Sequence, residues 1–487
     1  MIRLFPPPVE KLLRLLGNSG YQAYVVGGAV RDILLGRTPR EYDLATDACP
    51  DALARLAEAH ELRAFFKGAA FGVVSIIVDK TAIEVATFRT EIYGQDAHRP
   101  ERVDFLWALE DDLARRDFTV NAMALDIEGR LYDPFGGKKD LQTGILRAVG
   151  EPEERLAEDA LRAFRACRFA AEYGFTVEPR TLTAISRARD RVAGLSVERV
   201  REEIERILLS PHPAVGFELL RETGLLTARC RCRVTGKEKT VSVLPELARL
   251  YGVSQNPRYH SLDVWQHTML VVQEVPPEIV LRWAALLHDI GKGMPGVRAL
   301  NRRGEPSDHR HEQVGATLTG EVLERLRVPP ACSRRVVWLV RRHMVFPRPK
   351  ELRVIKWLRR LAVDFRNREE LAEGVEQLLT LREADLRGGK VKPEARLSEN
   401  AHLRRLVHDV LSRVPFYPAD LAVSGRAVAR YLGEGPQVRG VCEELLEQVQ
   451  EGKLPNDAQA LEAILKKKLE FVEKDFIHKG RARERRR

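Results

Sequence analysis

Apolar residues change their rhythm once along this chain, near residue 150. Before that point they come in short runs separated by turns. YVVGG, FGVVSIIV, AIEVATF and RVDFL read as strands, and VEKLLRLL reads as a helix ahead of them. From about Glu153 to Glu222 the spacing is helical and rich in Arg. A turn-rich break with Arg, Cys and VTGKEK follows, then helical spacing again over roughly 245–395, where most of the histidines lie. Residues 415–470 read as a small helical module, and KKKLEFVEKDFIHKGRARERRR as a basic helix fraying into a charged tail. Strands first and helices afterwards, with no internal repeat, predict an α+β chain with a mixed α/β head followed by all-helical domains.

At 487 residues the chain exceeds one ordinary core, so several domains are expected. Lys and Arg exceed Asp and Glu by 80 − 70 = 10. That excess fits a polyanionic partner such as nucleic acid, or merely a basic solvated surface; charge alone does not choose. Of six cysteines only Cys230 and Cys232 lie close together, and C-x-C without a second pair is a poor zinc pattern. Reduced cytosolic thiols are the expectation. The opening MIRLFPPPVE has no apolar core of a signal peptide, and no stretch approaches about 18 uncharged apolar residues. A soluble, cytoplasmic protein is expected, with no membrane association and no obligatory protein partner evident.

In YVVGGAVRDILLG, Gly27 and Gly28 fall between a strand and a helix, where a bare backbone can approach a phosphate. Arg31 follows on the first turn and can hold the same group. In EYDLATDA, Glu41 and Asp43 stand two apart in an apparent strand, so both carboxylates project from one face. Such a pair suits two Mg²⁺ ions, one activating an attacking hydroxyl and one holding a triphosphate through in-line displacement. Two solvated strand-edge acids would look the same in isolation. Glu84, in IEVATFR, is either a third acid on a neighbouring strand or a surface residue. EDALRAFRACRF reads as a helix on which Asp159, Arg162, Arg165 and Arg168 recur every three residues along one inclined ridge. A plain salt-bridged helix, with Glu158 and Arg162 paired, would give the same spacing.

GGAVRD and EYDLAT are followed, in order, by IEVATFR, EIYGQDAHRPERVDF, DDLARRDFTVNAMA, LYDPFGG and EDALRAFRACRF, then SVERVREE, GLL and LPEL. This succession resembles the class II tRNA nucleotidyltransferases and their bacterial poly(A) polymerase relatives over nearly the whole chain. The resemblance implies a nucleotidyltransferase palm as the head (1–150) and a helical neck and body with a nucleotide-selecting helix (151–245). It implies addition of CCA to tRNA 3′ ends from CTP and ATP, with Mg²⁺ at Glu41 and Asp43 and release of pyrophosphate. Arg116 resembles a triphosphate ligand, with Asp117 and Asn121 supporting the pocket alongside Gly28 and Arg31. Asp159 and Arg162 resemble the pair that reads the Watson–Crick edge of the incoming nucleotide, leaving Arg165 and Arg168 to face the triphosphate. Chemically, a carboxylate accepts from the exocyclic amine common to C and A, and a guanidinium donates to their ring acceptors. G and U present a carbonyl there, an unpaired contact costing ~1–3 kcal/mol. One position departs from the family: its first carboxylate is Asp, and Glu41 displaces the group by about one C–C bond, ~1.5 Å.

In the family this sequence resembles, enzymes that add only CC lack the loop corresponding to YGQDAHRPERV; here it is intact, with Asp96, Arg99 and Pro100, so the resemblance argues against a CC-only enzyme. It does not separate a CCA-adding enzyme from an A-adding enzyme or a poly(A) polymerase.

A second constellation runs His267, His288–Asp289, His311, His343, Asp385. Imidazole with carboxylate suits Mg, Mn, Fe, Ni or Co. The order resembles the HD phosphohydrolase domain and implies a metal-binding domain at 246–395, with His267, His288, Asp289 and Asp385 as the minimal ligand set. His311 and His343 would complete a second site. A hydrolytic role as phosphatase or 2′,3′-cyclic phosphodiesterase is one expectation, and a degenerate structural domain the other. LAVSGRAVARYLGEGPQVRGV with GKLPN resembles the tail that grips the tRNA elbow (396–487), though Ala427 replaces the usual acid after SGR. The terminal Lys/Arg cluster would add salt-sensitive phosphate contacts, or form a solvated tail. An HD phosphohydrolase carrying a non-catalytic RNA-binding head is the reading from another class.

Overall fold

The computed structural model describes residues 4–68, 72–93, 100–234, 236–390 and 393–470. Two compact units divide them: one comprises Met1–Val253, Pro276–Trp283 and Gly320–Ser333, the other Ser254–Val275, Ala284–Thr319 and Arg334–Arg487.

The first unit begins with helix α1 (Pro7–Asn18), whose Val9, Leu12, Leu13 and Leu16 recur at helical spacing and are all buried. Then come β1 (Ala23–Val26), α2 (Gly28–Leu34), β2 (Asp43–Thr46), α3 (Pro50–Ala59), β3 (Arg63–Gly68), β4 (Val73–Val78) and β5 (Thr81–Thr87). The strands β6 (Arg89–Tyr93), β7 (Pro100–Phe105), helix α4 (Leu109–Ala114), strands β8 (Ala124–Leu125) and β9 (Leu131–Tyr132), and helix α5 (Gly137–Thr143) complete the head. Its sheet has seven strands in the order β3-β4-β5-β2-β1-β8-β9, while β6 and β7 form a separate ribbon. β2 runs antiparallel to β1 and parallel to β5, so the sheet is mixed. Strict alternation in VVSIIV buries Val74, Ile76 and Val78 on one face of β4. The strands expected from the sequence are all present, and the head is the mixed α/β unit anticipated.

Helices α6 (Pro152–Glu158), α7 (Leu161–Tyr173), α8 (Pro179–Arg187), α9 (Val197–Leu209) and α10 (Pro213–Glu222) follow. α7 is buried almost all round and stops at Gly174, whose φ of 72° supplies the left-handed cap. The turn-rich break near residue 235 proves to be a hairpin: Arg229–Val234 pairs antiparallel with Lys237–Ser242. Its alternation places Cys230 and Cys232 inside, both buried. All six cysteines are free thiols, and burial pushes Cys230 up to about 12.

The second unit is helical apart from a hairpin within the stretch of helical spacing, Arg298–Leu300 against Pro306–Asp308. Helices at Val264–Glu274 and Arg368–Arg387 pack together, and the latter packs on Pro393–Arg413. Near the end Leu421, Val423, Val428, Cys442, Leu445, Leu461 and Leu465 form a small core of their own. No helix among the described residues is long and apolar enough to cross a membrane.

Candidate active site and candidate metal centre

Asp43 opens β2 at the middle of the head sheet, in register with Glu84 on β5. Glu41 lies just before the strand rather than on it, so the expected two-residue alternation does not set its direction. Its charge nevertheless reaches Asp43. Part of the Asp43 side chain meets solvent, yet the protein crowding its carboxyl raises its pKa, with further upward pressure from Glu84 and Glu41; Arg116 acts the other way. Three like charges held together in this way are relieved by a cation, and carboxylate oxygens are the donors Mg²⁺ prefers. Glu84 therefore sits with the catalytic candidates rather than on an unrelated surface.

Gly27 adopts a φ of 71°, and a Cβ built there would stand 2.8 Å from Arg116 Nη1. Glycine is needed so that this guanidinium can lie against the backbone. Arg116 is held from behind by Asp112 (3.2 Å), which is fully buried and also binds Arg115 (2.8 Å). Behind it runs a buried polar chain. Arg31 donates to Asn121 Oδ1 (2.6 Å), Asn121 donates to Asp117 Oδ1 (3.0 Å), and Arg165 donates twice to Asp117 Oδ2 (2.9 and 2.6 Å). Burial alone would raise Asp117, but Arg165 and Asn121 hold it well below the usual carboxylate range. Arg31 also stacks over Tyr173, 4.4 Å from the ring centroid, and pairs with Asp32. Asp117 and Asn121 thus join Arg31 to Arg165 on a single network.

The expected ridge is broken at its first member. α6 ends at Glu158 and α7 starts at Leu161, so Asp159 occupies the joint with extended torsions (φ −138°, ψ 104°). Its carboxylate accepts from the Leu161 amide (2.9 Å), a local bond that competes with helix continuation. Arg162 is buried and donates to Glu158 (2.7 Å) and to the carbonyls of Arg155 (2.8 Å) and Arg115 (3.0 Å). The Glu158–Arg162 pairing seen in the sequence is therefore real, bridging the joint. Arg168 differs from expectation. It is buried against Glu203 of α9 (2.7 Å) and also binds Glu172 (2.9 Å), which places it between helices. The loop residues Asp96 and Arg99 and the basic segment after residue 470 lie outside the described residues.

The histidine cluster converges far more tightly. Asp289 stands at its centre: Oδ2 is 3.2 Å from His288 Nε2 and 3.7 Å from His267 Nε2, and Oδ1 is 3.3 Å from His311 Nε2 and 3.9 Å from His343 Nε2. Asp385 joins at 3.0 Å from His267 Nε2. Among the described residues, two sets bring their ligand atoms within 4.8 Å of one another: His267–His288–Asp289 and Asp289–His311–His343. Asp289 belongs to both.

These residues fit a metal. His288, His311 and His343 each direct Nδ1 at a backbone carbonyl (Ala285, 2.8 Å; Asp308, 2.9 Å; Val340, 2.6 Å). A proton on each Nδ1 leaves Nε2 as a lone pair aimed inward, the arrangement of metal-bound histidine. His311 and His343 then face each other with bare Nε2 atoms 3.3 Å apart, a contact that a shared cation resolves. Burial first, then His288 and His311, push His343 down to about 3, keeping it neutral. Burial would raise Asp289, but His288 and Lys292, whose ammonium is 2.7 Å away, hold it well below the usual range. A cleft of about 330 Å³ opens onto Asp289, His311, His343 and Asp385. A divalent ion here can polarise water and a phosphoester oxygen.

The chain matches three family models: the poly A polymerase head domain over 23–147, the probable RNA and SrmB-binding site of polymerase A over 174–228, and the HD domain over 258–385. The CCA-adding enzyme of Geobacillus thermodenitrificans is 44% identical over 229 residues, 45% of this chain and 54% of that one, so the match spans about half that relative's length. The A-adding tRNA nucleotidyltransferase of Deinococcus radiodurans is 36% identical over 454 residues, 90% of this chain and 94% of the relative. Among solved structures, the Bacillus stearothermophilus CCA-adding enzyme in complex with CTP matches with a TM-score of 0.65 at 27% identity, covering 97% of this chain and all of the other. This chain therefore belongs to the tRNA nucleotidyltransferase/poly(A) polymerase family and carries an HD domain in its second half.

Proposed function

We propose that the chain is a template-independent tRNA nucleotidyltransferase that adds CCA to tRNA 3′ ends from CTP and ATP with release of pyrophosphate. The observation that carries this reading is the grouping of Asp43, Glu84 and Glu41 with Arg116 against Gly27. Glu41 and Asp43 would hold Mg²⁺, with Glu84 beside them; bound Mg²⁺ supplies charge neutralisation and activation of the tRNA hydroxyl. Arg116 and Arg31 orient and neutralise the triphosphate; Asp112 keeps Arg116 in place, and Asp117 with Asn121 keeps Arg31 and Arg165 in place. Asp159 and Arg162 read the base edge. Glu158 and two carbonyls pre-order Arg162, which lowers the entropy lost on pairing. Arg168 joins α7 to α9 in this scheme and does not touch nucleotide.

An A-adding enzyme is the second reading, because the Deinococcus radiodurans relative matches nearly from end to end. The deciding experiment incubates the chain with tRNA ending at the discriminator base, and with tRNA ending in CC, in the presence of each nucleoside triphosphate singly and of CTP with ATP. CCA addition requires CMP on the first substrate and AMP on the second. AMP on the CC-ended tRNA with no CMP on the first overturns CCA addition in favour of the A-adding reading. Unlimited AMP tails on unrelated RNA would indicate a poly(A) polymerase. Asp43→Ala abolishes transfer while sparing tRNA binding.

The HD cluster is proposed to act as a metal-dependent phosphohydrolase on phosphate or 2′,3′-cyclic phosphate ends, using Mn, Fe, Ni or Co. Its support is the pair of ligand sets sharing Asp289 beside an open cleft.

A further inference from the structure

The cleft over the HD cluster continues past its ligands. Lys292 and Arg396 line it together with Asn256 and Tyr259, and these last two also line a second cavity of about 260 Å³. That second cavity is walled by Arg258, Arg302 and Arg303, with Glu305 among them. All three arginines are exposed. Three guanidinium groups against one carboxylate leave a net charge of +2, and Arg258 and Arg303 already depress the Glu305 pKa after the hydrogen bonds from Asn301 and Asn256.

The arginines sit on a fixed support. Arg302 and Arg303 lie at the tip of the 298–308 hairpin, where Asn301 accepts from the amides of Arg303 (2.8 Å) and Glu305 (3.1 Å) and donates to the Glu305 carboxylate (2.9 Å). Asn256, at the junction of the two cavities, also donates to Glu305 (3.3 Å). At the hairpin base Arg298 grips Asp308 with two bonds (2.8 and 2.7 Å), and the Asp308 carbonyl is the group that orients the ligand His311 (2.9 Å). One rigid ribbon therefore connects a metal-ligand histidine to a cationic pocket. Tyr259 is 47% exposed between the cavities, offering an aromatic face where they meet.

We propose that the HD cleft takes the phosphate-bearing 3′ end of a single-stranded RNA, with Arg258, Arg302 and Arg303 holding the phosphate one nucleotide inward and Tyr259 stacking on a base. A free mononucleotide fills only the cavity over the metal ligands and gains nothing from the second. The proposal rests on the phosphohydrolase reading of the same cluster for its chemistry, but not for its binding geometry.

The test compares the full chain with an Arg302→Ala/Arg303→Ala variant in Mn²⁺ or Ni²⁺. Substrates are 2′,3′-cyclic AMP and a short oligoribonucleotide ending in a 2′,3′-cyclic phosphate. Losing two charge-assisted contacts should lower kcat/KM for the oligonucleotide about tenfold or more. Hydrolysis of cyclic AMP should change less than about twofold, since its groups reach only the first cavity. Equal losses on both substrates, or none on the oligonucleotide, overturn the proposal. The second readout is photocrosslinking of a 3′-phosphorylated oligonucleotide with 4-thiouridine at its penultimate position. Crosslinks to Tyr259 or to residues 298–308 that disappear in the variant support the site, and crosslinks that avoid this region refute it. A parent chain that crosslinks there but hydrolyses neither substrate refutes the phosphohydrolase reading and leaves the RNA-end site standing.

Discussion

Arg168 offers the sharpest separation between a residue that binds nucleotide and one that holds two helices together. Its guanidinium lies between α7 and α9, 2.7 Å from Glu203, and both side chains are less than a tenth exposed. Truncating one partner of a buried pair strands the other charge at a cost of about 3–5 kcal/mol, whereas replacing both with apolar groups of similar volume is close to neutral. Glu172 remains 2.9 Å from Arg168 and is 40% exposed, so it compensates partly and the cost of Glu203→Leu should fall near the lower end, about 3 kcal/mol. Arg168→Met/Glu203→Leu should recover to within about 1 kcal/mol of the parent. Urea unfolding followed by circular dichroism measures the stability, read on the earliest transition because a chain with two compact units need not unfold in one step. CTP and ATP KM values for the double variant complete the test and should change less than about threefold, under 0.7 kcal/mol. A double variant of parental stability whose KM rises tenfold or more would refute the assignment and return Arg168 to the triphosphate.

Gly27→Ala should combine left-handed strain of about 1–2 kcal/mol with displacement of Arg116, lowering transfer far more than thermal stability; KM for nucleotide and the melting temperature, measured together, check this. Asp117 has a depressed folded-state pKa, so its stabilisation is present above the unfolded value of about 3.9 and lost as pH falls through the folded one. Asp117→Asn should therefore lower the melting temperature at pH 7 and flatten its decline between about pH 5 and 2, and an unchanged slope would contradict the network. His288→Ala/Asp289→Ala should remove nearly all metal that survives dialysis, as read by elemental analysis of the full chain; equal content in parent and variant would dismiss the centre.

Periodicity and spacing disclosed most of the architecture because the physics behind them is local. β4 alternates because one face is buried, and α1 repeats Val9, Leu12, Leu13 and Leu16 because one stripe is. The histidine cluster was legible for a different reason: six His and Asp residues in one order have few structural uses. What escaped depended on partners remote in sequence. Nothing near Arg168 indicates that Glu203, thirty-five residues on, will neutralise it. The joint at Asp159 follows from a side-chain bond to the Leu161 amide, which helical periodicity cannot register. The hairpins at 229–242 and 298–308 are short and Arg-rich, and the strands of the second have no buried residue, so they carry no apolar alternation to read. In the first, the C-x-C spacing was itself the trace of a strand, with both thiols turned inward.

Asp289 gives one oxygen to each half of the histidine cluster. That sharing makes the centre non-modular under mutation. If each ligand set holds an ion, altering His311 or His343 would remove one and leave the other, whereas no change at Asp289 would spare either. Loss of one ligand set would thus proceed through the later histidines alone, while a substitution at Asp289 would break both sets in a single step.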